Sequence, residues 1–273
     1  MEVGEVRCAE DADFQQLKSL CSVHDGWRQE YDKHGTTVWT KSTDKSDFKM
    51  IKVRSIYKDL SPALVYDVLH DPEYRKEWDT NMLDGREVCC LNPNNDIGYY
   101  ALKSPKPLKN RDFVIQRSWL DTGTEFLILN HSVNHQMLPP KKGFIRGISF
   151  LTGYWITPAN SQKKLDQPGC SLTYVTQSDP KGKLPVWVVN KVTQLYAPKI
   201  MKKIHKACRN YDSWKSKHNP GRKPWLYPEQ NVLPRLNFAD IRNMAECVSD
   251  ESVDESGLKE EDLEDLKDEE NGV

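Results

Sequence analysis

Residues 185 to 214 read PVWVVNKVTQLYAPKIMKKIHKACRNYDSW. Val189, Val192, Tyr196, Ile200, Ile204, Ala207, Cys208 and Tyr211 recur at the spacing of one helix face, while Lys199, Lys202, Lys203, Lys206 and Arg209 lie off that stripe. The spacing predicts a long amphipathic helix with a basic outer face. A kink is expected at Pro198, which lacks the backbone donor a helix interior requires. An apolar stripe of this length must be buried against a broad partner.

The chain upstream supplies one. From Glu87 to Gln177 the reading is of strands, with runs near 86–91, 97–103, 112–120, 124–133, 144–157 and 171–177. Turn-forming clusters (NPNND, DTGT, KLDQPG) separate several of them and favour antiparallel connections. Further strands are read at 36–40 and 48–57. Ser61-Pro62 caps a short helix over 63–69, and Pro72 opens another through Trp78. An N-terminal helix from about Asp11 carries Phe14, Leu17, Leu20 and Cys21 at helical spacing. Together these predict an α+β fold, a curved antiparallel sheet wrapped around the terminal helix. Such a fold is either filled by side chains or hollow, and a lining of aromatic side chains with isolated polar groups favours the hollow form.

The 273 residues hold 39 Lys+Arg and 40 Asp+Glu, a formal charge of −1 that conceals a strong segregation. Residues 1–184 carry +1, 185–223 carry +9, 224–245 are neutral, and 246–273 carry −11. No apolar run approaches the ~18 residues of a membrane span. The acidic start MEVGEVRCAED has neither the basic nor the apolar region of a signal peptide, and Glu2 stands where myristoylation needs glycine. Seven scattered cysteines fit a reduced, cytosolic compartment. The adjacent Cys89 and Cys90 point to opposite strand faces and read as one core and one surface thiol. His131 and His135 have no third partner at a metal-ligand spacing. With no phosphate-binding glycine loop and no GxSxG, neither catalysis nor a cofactor or metal is expected.

The segments resemble the START family of lipid-transfer domains from Phe14 to about Lys217. The resemblance rests on Trp27, VWTK (38–41), YDVLHDPEYRKEWD (66–79), KNRDFVIQR (109–117), GFIRG (143–147), SDPKGKLPVWVVN (178–190) and KACRNY (206–211), in that family's order. The branch they are most similar to is that of phosphatidylcholine transfer protein. It implies a helix-grip fold, with about nine antiparallel strands gripping the last helix around a lipid tunnel. The division expected is an N-terminal extension (1–13), the lipid-binding domain (14–217), a Pro-rich linker (218–245) with four prolines between 219 and 234, and an acidic disordered tail (246–273).

Enclosure answers a steep requirement, because exposing the ~30 methylenes of a two-chain lipid costs on the order of 20 kcal/mol. By the resemblance, Arg75 addresses the lipid phosphate with Asp79 beside it, although spacing alone describes a surface i,i+4 pair. By the same resemblance Tyr100, Phe113, Phe150 and Thr176 surround the quaternary ammonium. Thr176 departs from that branch's tyrosine, and Leu69 and Thr152 depart from its tyrosine and glutamine near the phosphate. Hydroxyls in a looser cage would admit a primary ammonium as well, so phosphatidylcholine and phosphatidylethanolamine are both expected ligands. The loop KSPKPLKN (103–110) is implied to form a lid with the last helix.

The basic helix fits an anionic membrane surface or a solvated outer face, and its apolar stripe argues against nucleic acid. In the tail, Ser249, Ser252 and Ser256 lie among acidic residues, and Ser252 has the downstream acids that a casein kinase 2-type kinase prefers. The function expected is that of a monomeric cytoplasmic carrier whose tail competes with membrane for the basic helix; the alternatives are a lipid-sensing adaptor that signals to a protein partner and an enzyme of a related helix-grip fold, which would need a buried general base near the cavity.

Overall fold

The structure, a computed structural model, describes residues 1–160, 162–185, 188, 197–246 and 253–259. It runs through α1 (Asp11–Ser22), β1 (Arg28–Lys33), β2 (Thr36–Thr43), β3 (Ser46–Tyr57), α2 (Pro62–His70), α3 (Pro72–Trp78), β4 (Met82–Asn92) and β5 (Asn95–Leu102). There follow β6 (Asn110–Asp121), β7 (Phe126–Ser132), β8 (Phe144–Arg146), β9 (Ile148–Pro158), β10 (Cys170–Asp179) and α4 (Ala197–Lys215). Both short helices start as their sequences require. Ser61 Oγ accepts from Leu64 N at the head of α2, and Asp71 Oδ1 accepts from Glu73 N and Tyr74 N at the head of α3.

The sheet order is β1-β2-β3-β10-β9-β7-β6-β5-β4, antiparallel throughout, with β8 paired parallel to β6. Strands β1 and β4 are left as edges, so the sheet curves without closing. The expected strand at 144–157 divides at Gly147, whose N donates to Asp112 O (2.9 Å). A Cβ on Gly147 would come within 2.5 Å of the Phe113 ring, so glycine is what allows that ring its position. Strand β1 was not legible: RQEYDK is polar and largely exposed at the edge, with no buried alternation to mark it.

The two faces of the sheet carry different partners because residues alternate across it. Leu127, Leu129 and Val175 face α1 through Phe14, Leu17 and Cys21. On the other face, Val53, Ile128, Ile156 and Leu172 pack with α2 and α4. Helix α4 buries Met201, Ile204, Ala207, Cys208 and Tyr211; Ile200, placed on the stripe by sequence, is 37% exposed, and Met201 takes the core position. Residues 186, 187 and 189–196, with Val189, Val192 and Tyr196 of the expected stripe, lie outside the described residues, and so does the expected kink.

Polar contacts fix the far end of α4. Asp71 Oδ2 accepts from Tyr211 Oη (3.0 Å) and from Lys215 Nζ (2.8 Å), and Tyr74 Oη donates to Ala207 O (2.8 Å). Beyond α4, the segment expected as a linker lies against the body. Trp225 is buried, with Nε1 donating to Asp67 Oδ1 (2.7 Å), and Lys223 Nζ meets Asp67 Oδ2 (2.6 Å). Further on, Cys90 N donates to Pro234 O and Leu236 N to Cys90 O, both at 2.9 Å. An extended, proline-rich chain keeps free backbone groups that an edge strand such as β4 can pair with. That cover also corrects the reading of the thiols: Cys89 and Cys90 are both buried, the second beneath this segment.

Candidate functional site: a polar-walled cavity beneath the last helix

Between α3, α4 and the curved sheet lies a cavity of about 320 Å³. Arg75, Asp79, Tyr100, Phe113, Thr152 and Thr176 all line it, so six of the seven side chains expected to meet the headgroup come together. Phe150 does not line it. The β9–β10 register passes from Leu151↔Gln177 to Ser149↔Ser178, leaving Phe150 as the extra residue of a β-bulge. A bulge re-aims side chains, and here it gives the cavity face to Ser149. Phe150→Ala is therefore expected to leave lipid loading within twofold of wild type, measured by lipid extraction from the purified protein. A severalfold loss would return Phe150 to the site.

Arg75 and Asp79 face inward rather than forming a solvated surface pair. Arg75 Nε donates to Asp79 Oδ2 (3.2 Å), and the Tyr100 hydroxyl donates to the same oxygen (2.6 Å). The guanidinium lies 5.4 Å from the Trp78 ring centroid and 5.1 Å from that of Tyr100. Burial works against its charge, but Tyr100, Tyr154 and Asp79 outweigh that and hold its pKa above the usual range. It remains 27% accessible because it lines the cavity. The result is a fixed cation on the wall of a partly apolar space, an arrangement suited to an anionic, phosphate-like group.

Several cavity residues were not anticipated. Tyr154 and Tyr174 are cross-strand partners with rings 4.9 Å apart, and Asn130, Ser149 and Ser178 extend the polar wall around Thr152 and Thr176. The signal available was parity: 130 and 128 on β7, 152 and 154 on β9, and 174 and 176 on β10 share one face once the register is known. His70 and Trp78 also line the cavity, with His70 Nε2 and Trp78 Nε1 buried and lacking a hydrogen-bond partner among the described residues. Burial, with a smaller contribution from Arg117, keeps the His70 pKa well below its ordinary value, so the ring is neutral. His131 and His135 are occupied elsewhere, by Glu5 O (2.7 Å) and Cys89 Sγ (3.9 Å).

The cavity walls come from the sheet, the short helices and the last helix. Ile200, Lys203 and Ile204 of α4 are among those walls. Of the basic residues, Lys202, Lys206 and Arg209 are exposed, Lys199 is partly so, and Lys203 Nζ donates to Thr80 Oγ1 (2.9 Å).

Part of the acidic tail meets the body. Lys183 N donates to Val253 O and Glu255 N to Lys183 O. The Glu255 side chain is buried, accepting from Arg111 Nη2 (2.6 Å) and Lys109 N (2.7 Å). Arg111 also donates to Lys109 O, Pro180 O and Lys181 O. Glu255 therefore ties the 103–109 loop to the turn leading towards α4. Ser256 is exposed, its Oγ donating to Asp254 Oδ1 (2.5 Å), whereas Ser249 and Ser252 lie outside the described residues.

A START domain model matches residues 7–214. The chain is 43% identical over 256 residues to mouse START domain-containing protein 10, covering 93% of this chain and 86% of that one. It is 27% identical over 216 residues to mouse phosphatidylcholine transfer protein, covering 76% and 97%. The crystal structure of human STARD10 superimposes with a TM-score of 0.80 at 43% identity, over 86% of this chain and 94% of that chain. With its sheet order, gripped last helix and inward Arg75, the chain belongs to the START family.

Proposed function

We propose that the protein is a non-enzymatic carrier that takes up one phospholipid, phosphatidylcholine or phosphatidylethanolamine, and moves it between membranes in the cytoplasm. The observation that carries this reading is Arg75. A guanidinium turned into a cavity, paired with Asp79 and flanked by Trp78 and Tyr100, offers a planar fork of donors that suits a phosphate. The likeness to phosphatidylcholine transfer protein supports the same ligand class. Exchange would occur when the N-terminal part of α4 swings from the sheet at a membrane, its basic face meeting anionic lipid while Asp71 holds the other end. The test is transfer of labelled phosphatidylcholine and phosphatidylethanolamine from donor to acceptor vesicles. Catalytic amounts of protein should accelerate both, and a rate equal to the protein-free control excludes the reading.

The tail is proposed to restrain that opening. Withdrawing Glu255 frees the 103–109 loop and the 180–183 turn to move apart, at the cost of separating a buried ion pair. Glu255→Ala is expected to raise the vesicle transfer rate severalfold and to speed amide exchange across 103–109. Unchanged transfer with faster exchange would mean the loop is no gate. Phosphorylation of Ser249, Ser252 or Ser256 by a casein kinase 2-type kinase adds about −1.5 to −2 charge per site and is expected to strengthen the restraint through the nearby lysines, slowing transfer.

A further inference from the structure

The polar wall of the cavity has a direction. Thr152 and Thr176 are cross-strand partners with hydroxyl oxygens 2.7 Å apart. Ser149 Oγ lies 3.0 Å from Thr152 Oγ1, and Ser178 Oγ lies 3.2 Å from Thr176 Oγ1, so four hydroxyls form one row. The row ends at Asn130, whose Oδ1 accepts from Ser149 Oγ at 3.4 Å. A carbonyl oxygen can only accept, and that bond orders the others. Ser149 gives its proton to Asn130 and so accepts from Thr152; Thr152 accepts from Thr176, and Thr176 from Ser178. Each hydroxyl has one proton and two lone pairs, and the Tyr174 hydroxyl joins the row beside Thr176, so the wall keeps acceptor capacity along its length. Bonds aligned in one sense also polarise one another and make those oxygens better acceptors.

Such a wall has little to offer a phosphate, which Arg75 serves. It suits a group rich in N–H donors. The two sites are continuous, because Tyr154 and Tyr174 stand next along the same face and Tyr154 reaches the Arg75 guanidinium. A primary ammonium carries three N–H donors, whereas a trimethylammonium carries none and gains only from aromatic faces. We propose that Ser149, Thr152, Thr176 and Ser178 form a subsite for the primary ammonium of phosphatidylethanolamine, and that this row sets how much of that lipid the protein takes up against phosphatidylcholine. This rests on the proposed phospholipid carriage with phosphate at Arg75. Sequence singled out Thr152 and Thr176; Ser149 and Ser178 enter through the bulge at Phe150.

The test equilibrates the full chain with vesicles containing equal phosphatidylcholine and phosphatidylethanolamine, then extracts and quantifies the bound lipid. Thr176→Val keeps the shape and breaks the row at its centre, removing one or two charge-assisted bonds. The phosphatidylethanolamine-to-phosphatidylcholine ratio should fall about tenfold. Ser178→Ala, at the end of the row, should lower the ratio by a smaller factor, and Thr176→Ser should restore it. An unchanged ratio in Thr176→Val and Ser178→Ala, or equal loss of both lipids, overturns the subsite. Failure of the carrier reading looks different: wild-type protein would then hold neither phospholipid.

Discussion

Arg75→Ala protein is expected to come through purification folded and without bound phospholipid, with vesicle transfer reduced at least a hundredfold. The guanidinium lines the cavity and is the proposed partner of the phosphate, and truncating one partner of a desolvated, hydrogen-bonded charge pair costs about 2–5 kcal/mol or more. The substitution also leaves Asp79 with only the Tyr100 hydroxyl of the two donors described, so its charge then repels the phosphate. Arg75→Lys should recover little, because an ammonium on a flexible stem cannot reproduce the planar fork between Trp78 and Tyr100. A protein with Ala at this position that still carries the same phospholipid would refute the headgroup assignment.

Asp71→Ala is expected to show the largest loss of stability, on the order of 3–5 kcal/mol, since it strands a buried Lys215 ammonium; the lost cap of α3 adds about 1 kcal/mol. One carboxylate here serves two ends of the structure: Oδ1 caps α3, and Oδ2 holds Tyr211 and Lys215 of α4. For a domain of this size, each kcal/mol shifts Tm by about 2–4 °C, so a fall on the order of 10–20 °C is anticipated. Asp71→Asn keeps an acceptor for the cap but not the charge for Lys215 and should fall between. A loss under about 1 kcal/mol in denaturant titration would show that α4 is not anchored through this residue.

The helices and most strands were legible because their signals are local. Ser61-Pro62 and Asp71-Pro72 announce helix starts, and the long strands alternate visibly. What escaped depended on distant parts of the chain. Strand β1 lacks an apolar face because it sits at an edge, and the segment after residue 218 looked like a linker because its partners, Asp67 and Cys90, are far away in sequence. The site divides in the same way. Arg75 and Asp79, singled out by their motif, line the cavity, while Phe150 does not, since a bulge changes which residue meets it and a bulge is visible only in the register. Tyr154 and Tyr174 lay unmarked among other aromatics for want of that register. The tail's charge was plain in the composition, but its contact with Arg111 through Glu255 required the fold.

The most direct measurement is native mass spectrometry of the full chain purified under mild conditions. One phosphatidylcholine or phosphatidylethanolamine molecule per protein, lost in the Arg75→Ala variant, is the expected result. A protein that emerges without lipid after exposure to phospholipid vesicles, or that carries a lipid lacking a phosphate, would contradict carriage of a phospholipid in this cavity.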